Sequence, residues 1–160
     1  RDLRAMLPRL FLEHFNDTSL VAEDCGELTG FLVGFLSSAR PDEGHIHFVG
    51  VHPAYRMQGL AREFYVRFFD ICARNGRTRV RACTSPVNRA SVEFHRKLGF
   101  SIEPGDAEQQ GIPVTLDYNR PGDPKVLFVK RLAPAGTADQ RTASQESDSD
   151  RGGNHGQGRD

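Results

Sequence analysis

The stretch at 48–69, FVGVHPAYRMQGLAREFYVRFF, changes period partway along. It begins as an apolar run of strand type and ends with apolar residues every three to four positions, the spacing of one helix face. Pro53 ends the strand by withdrawing a ladder donor, and Gly59 stands where the helix opens. A strand that empties into a helix through a glycine leaves several backbone N–H groups without intrahelical partners and pointing the same way, which suits an anion. It also requires an α/β architecture, because the strand needs a sheet and the helix needs that sheet to lie against.

The flanking sequence supplies both. Leu3, Met6, Leu7, Leu10, Phe11 and Phe15 recur at helical spacing, with Pro8 kinking the helix or restarting its turn. Two strands follow at 19–23 and 28–36, hinged at Asp24, Cys25 and Gly26 into a hairpin. HIHFVGVHP is a third strand, and Leu60, Phe64, Phe68 and Ile71 or Cys72 predict a helix over 58–74 that RNG at 74–76 stops. TRVRACT reads as a strand, 88–98 as a helix capped by Gly99, and FSI as the start of another strand. IPVTLDY and KVLFVKRL, separated by NRPGDP, read as a second hairpin. The sum is a mixed, mostly antiparallel twisted sheet with helices on both faces and no internal repeat. From 134 onward there is no Leu, Ile, Val, Met or aromatic residue, so the expected domain covers 1–133 and 134–160 is expected to be a disordered tail.

Composition narrows the partners. Lys plus Arg and Asp plus Glu stand at 21 each, so bulk charge gives no argument for nucleic acid or an acidic membrane surface. The arginines of ARNGRTRVRA lack interleaved aromatics, and no apolar run approaches the roughly 20 residues of a membrane span. Cys25, Cys72 and Cys83 are odd in number and lack metal-ligand spacing, and nothing at the amino terminus reads as a signal peptide; reduced thiols and a cytoplasmic location are the expectation. His45, His47 and His52 have no accompanying carboxylate or cysteine at ligand spacing, so no metal site is expected.

VGVHPAYRMQGLA, followed some 30 residues later by NRASVEFHRKLGF, resembles the paired signature of the Gcn5-related N-acetyltransferase (GNAT) superfamily. The resemblance runs over about 19–132 and implies transfer of the acetyl group of acetyl-CoA to a primary amine, on a small molecule or a protein lysine, by direct attack in a ternary complex. It implies that Arg56, Met57, Gln58, Gly59, Leu60 and Ala61 bind the cofactor's pyrophosphate, a role their free N–H groups and helix dipole suit. By position, the N–H groups of Val49 and Val51 would meet the acetyl carbonyl and pantetheine amides, with Gly50 permitting a bulge. Asn88, Ser91 and His95 share one helical face. The resemblance assigns Asn88 to the cofactor, with Ser91 between it and His95, and puts His95 where a tyrosine usually protonates the leaving thiolate.

Here the sequence departs from the pattern, because an unperturbed histidine has a pKa near 6.5 and is mostly neutral above pH 7, whereas tyrosine stays protonated to about pH 10. His95 is the candidate acid, with plain packing as the other reading. His45 matches the place of a base glutamate in protein-modifying members and is the candidate base, with Glu43 or His47 acting through a water as alternatives. Asp117 reads either as an attractor of a cationic amine or as a solvated loop carboxylate. These departures also fit a non-catalytic module of the same fold that binds CoA or a protein. Resembling proteins open with a strand and helix before the segment at which this chain starts, so those two elements are expected to be missing, and dimers are common among them.

Overall fold

The computed structural model describes residues 9–133. The readings for Leu3, Met6, Leu7 and Pro8, and the disordered tail at 134–160, lie outside the described residues. In chain order the elements are α1 (Arg9–His14), β1 (Leu20–Asp24), β2 (Glu27–Leu36), β3 (Glu43–Val51), a 3₁₀ turn (Pro53–Tyr55), α2 (Leu60–Arg74), β4 (Arg79–Thr84), α3 (Arg89–Lys97), β5 (Ser101–Ile102), β6 (Ala107–Gln109), β7 (Ile112–Val114) and β8 (Val126–Arg131). Six strands form one sheet in the order β1-β2-β3-β4-β8-β5, and β6 with β7 form a two-stranded ribbon. Among the described residues only β3 and β4 run parallel, with α2 as their crossover, so the sheet is mixed and mostly antiparallel.

The faces follow from strand alternation. Leu32 and Gly34 on β2, Ile46 on β3, Val80 and Ala82 on β4 and Phe128 on β8 point to one side, where α2 buries Phe64, Tyr65, Phe68 and Cys72 and α3 buries Val92 and His95. Phe68 is completely buried, and its ring lies so close to Gly34 that a Cβ there would collide with it. The opposite face carries Phe35, with α1 laid on it: Phe11 and Phe15 stand 6.4 and 5.3 Å from the Phe35 ring. Helices thus cover both faces, as expected.

Two sequence expectations are corrected. IPVTLDY and KVLFVKRL do not form a hairpin; apart from a single bridge between Thr115 and Lys125, β8 pairs with β4 and β7 pairs back onto β6. The reason is the Gln110–Gly111 pair, both at positive φ (52° and 75°), which makes a two-residue turn whose twist suits a hairpin. The bulge in β3 is not at Gly50 but at His47, where the register steps from Val33–Phe48 to Gly34–Ile46. Gly50 instead makes room for the Phe31 ring.

Candidate functional site

β3 and β4 pair from Glu43–Arg79 to Ile46–Ala82 and then diverge, although β3 runs on to Val51 and β4 to Thr84. The His52 N–H donates to the Thr29 carbonyl of β2 at 2.8 Å. Alternation along the strand then turns the N–H groups of Val49 and Val51 away from β2, toward the side where β4 has departed. The Val51 carbonyl on that side accepts from Arg56 Nε at 3.2 Å. A gap edged by outward backbone donors can take an amide-bearing chain in place of the missing strand.

At the wide end of the gap, the chain turns through the 3₁₀ segment into α2. Gly59 stands at the N-cap with φ +86° and no side-chain cap bond, and Glu63 N–H is the first to find its helical acceptor, Gly59 O at 3.0 Å. The N–H groups of Leu60, Ala61 and Arg62 therefore lack intrahelical partners. Several bonds fix the loop's shape. Tyr55 Oη donates to Asp24 at 2.9 Å, tying the loop to the β1–β2 hairpin end, and Gln58 Nε2 donates to Ala54 O at 3.2 Å. Met57, at φ +63°, is fully exposed beside it. The helix dipole and the open N–H groups make this an anion-binding end.

Asn88 caps α3, accepting from Ser91 N–H at 3.2 Å through its side-chain oxygen. His95, on the same helix, is only 4% exposed and stacks on Phe128 at 4.3 Å. Its Nδ1 lies 2.7 Å from the Ser91 carbonyl, which can only accept, so Nδ1 carries the proton. Nε2, 3.0 Å from Tyr65 Oη, then accepts from the tyrosine. Burial holds His95 below the ordinary histidine range. Both ring nitrogens are committed, a geometry that favours packing over proton donation.

On the face opposite α2, beside the paired end of β3 and β4, lies a cavity of about 470 Å³. His45 lines it, with its ring stacked 5.2 Å from Phe35. Burial, then His47 and Arg81, lower its pKa to about 4. Glu43, 5% exposed, accepts from Arg81 Nε at 2.8 Å and Arg40 Nη1 at 3.3 Å, and Arg81 also pairs with Glu103. Sequence reading named His45 and Glu43 but missed Arg40, Arg81 and Glu103 beside them, and Tyr65. The alternation in RVRA places Arg79 and Arg81 on one face, but only the β3–β4 register brings Glu43 and His45 beside them. His47 stacks on Phe11 at 4.2 Å. Asp117, at φ +50°, accepts from Gly122 N–H at 2.6 Å and so folds its own loop. Among the described residues, no group of three His, Cys, Asp or Glu side chains could hold a metal, and no helix is long and apolar enough to cross a membrane.

The lowered pKa of His45 makes stability depend on pH. A histidine kept neutral in the fold favours folding fully above its unfolded value near 6.5, and this contribution is lost as pH falls through that value toward the folded one. Between pH 7 and 4 the chain should lose about 3 kcal/mol through this group. In His45→Gln the acid-side slope of denaturant-measured stability should flatten by that amount; an unchanged slope would mean the ring is solvated.

The chain resembles proteins of known sequence and structure. It is 29% identical over 115 residues to an L-2,4-diaminobutyric acid acetyltransferase of Shouchella clausii, covering 63% of this chain and 65% of that protein. It is 33% identical over 87 residues to an L-methionine sulfoximine/L-methionine sulfone acetyltransferase of Salmonella typhimurium, covering 52% of this chain and 50% of the relative. Against an aminoglycoside 6'-N-acetyltransferase solved with coenzyme A the TM-score is 0.56 at 17% identity, over 72% of this chain and 73% of that one, a likeness of fold. The chain spans less than two-thirds of the length of the first curated relatives it matches, from 43% to 65%. The acetyltransferase (GNAT) family model matches residues 2–100, more than half of the chain, and the chain belongs to the GNAT family.

Proposed function

We propose that the protein transfers the acetyl group of acetyl-CoA to a primary amine. The observation that carries this reading is the divergence of β3 from β4 beside the partnerless N–H groups at the start of α2. In this reading, Arg56, Met57, Gln58, Gly59, Leu60 and Ala61 hold the pyrophosphate through backbone N–H groups. Val49 and Val51 donate to the pantetheine amides and the acetyl carbonyl, and Asn88 and Ser91 border the cofactor from α3. A backbone donor on the carbonyl stabilises the oxyanion that forms as the amine attacks. The amine nitrogen's lone pair forms the new C–N bond, the C–S bond breaks, the nitrogen gives up one proton and the thiolate takes one.

Neither histidine is ready for those protons in the usual way. A base whose conjugate acid has a pKa near 4 stands about six units below an alkylammonium, so His45 orients the nitrogen through a hydrogen bond and the amine enters as its free base. With His95 committed to Ser91 and Tyr65, the thiolate's proton comes from water or from the amine itself. The cavity beside His45 is the acceptor's place in this scheme. Its volume, about 470 Å³, and the amino-acid substrates named for two relatives favour a small molecule over a protein lysine.

Calorimetric titration with acetyl-CoA, desulfo-CoA and ATP tests the cofactor half, and thiol release on an amine panel tests the transfer. Micromolar binding shared by both CoA compounds and absent for ATP is expected. Equal binding of ATP would end the assignment, and CoA binding without turnover on any amine would favour the non-catalytic reading that the packed His95 also suits.

A further inference from the structure

The wall of the 470 Å³ cavity carries an ionic cluster. Its charged or titratable lining consists of Arg40, Glu43, His45, Arg81, Glu103 and Tyr118. Two guanidiniums face two carboxylates. His45 is held neutral, and burial raises the Tyr118 hydroxyl above its ordinary value, so neither adds charge at pH 7. A partly buried ionic cluster is weak as a stability device, since desolvation offsets the attraction, and an apolar wall would serve folding as well. Its use lies in what it recognises.

The glutamates aim the arginines. Arg81 gives Nε to Glu43 and Nη1 to Glu103, which fixes the plane of its guanidinium and leaves Nη2 without an acceptor among the described residues. Arg40 spends only Nη1 on Glu43 and stands at the mouth, its side chain 62% exposed. Two planar cations with donors to spare, one of them oriented by two carboxylates, form a receptor for a third carboxylate. A purely cationic amine finds both glutamates already committed to arginines. An amino acid that enters with its amine as the free base brings one carboxylate, which the spare donors of the two arginines can meet.

Resting on the transferase reading above, we propose that the acceptor is a small amino acid, a primary amine that carries its own carboxylate. The carboxylate sits on Arg40 and Arg81, and the amine turns toward His45.

The test compares kcat/KM with acetyl-CoA for a panel of free amino acids, each beside its carboxamide and its decarboxylated amine. A lost charge-assisted contact corresponds to roughly 10-fold or more in favour of the acid form. In Arg40→Gln and in Arg81→Lys the acid-to-amine ratio should fall toward one. Arg40→Gln keeps the test sound if Arg81 proves necessary for folding, because its side chain is mostly in solvent. The proposal is overturned if the amide or decarboxylated forms react as fast, if a lysine peptide outruns every amino acid, or if the ratio survives both substitutions. It is overturned equally if the chain acetylates other amines and no amino acid, whereas acetyl-CoA binding without turnover on any amine counts against the transferase reading beneath it. Failure of acetyl-CoA to bind, read by calorimetry, would likewise sink that reading.

Discussion

Gly59→Asp is expected to weaken acetyl-CoA binding about 100-fold while leaving the fold in place. A Cβ at Gly59 would meet nothing within 4 Å, so the substitution clashes with no other part of the protein. The φ of +86° is strained for a side chain, yet Asp and Asn are the residues that enter this region at least cost. What changes is the charge. A carboxylate at the helix start would lie within a few ångströms of the phosphates the loop is proposed to hold. At an effective dielectric of about 20, two unit charges 4–5 Å apart repel by roughly 3–4 kcal/mol, which corresponds to two or more powers of ten in affinity. Gly59→Asn carries the same shape without the charge and should lose about 10-fold at most. Calorimetry on both, with thermal melts of the free chains, separates charge from strain. Equal affinities for the Asp variant and the parent would remove the pyrophosphate from this loop.

Phe68→Ala should be the most damaging single change to stability, at about 3–5 kcal/mol, because it empties the centre of the core between α2 and the sheet. Gly34→Ala alone should cost about 1–3 kcal/mol by forcing the Phe68 ring aside. Combined, the new methyl enters part of the space the ring has left, so the double variant should be at least about 1 kcal/mol more stable than the two losses predict. Urea unfolding of the four proteins measures this coupling. Simple additivity would mean the ring and the glycine do not share that contact.

These two sites were legible in the sequence for a local reason. The change of period across Gly59 and the Phe64–Phe68–Cys72 stripe are properties of neighbouring residues, and local geometry turns them directly into a strand, a joint and a helix. The ribbon of β6 and β7 was not legible, because AEQ carries no strand signal and depends on a turn and a partner. Nor could the sequence say which way the shared face of Asn88, Ser91 and His95 points. The face was right, but at its far end Phe128 and Tyr65 enclose His95. The Glu43–Arg81–Glu103 cluster joins β3, β4 and the residue that follows β5, segments apart in sequence that only the strand register brings together.

The early end of β3–β4 pairing also bears on how the sheet holds together. On one side β1, β2 and β3 form a meander of neighbours in sequence; on the other, β4, β8 and β5 join segments further apart. Only four residue pairs stitch these two half-sheets along their common seam. A chain of amides lying in the open part of that seam would supply the rungs the protein itself omits. Whatever occupies the gap therefore acts as a splint between the halves, and its affinity and the cohesion of the sheet are one free energy seen from two sides.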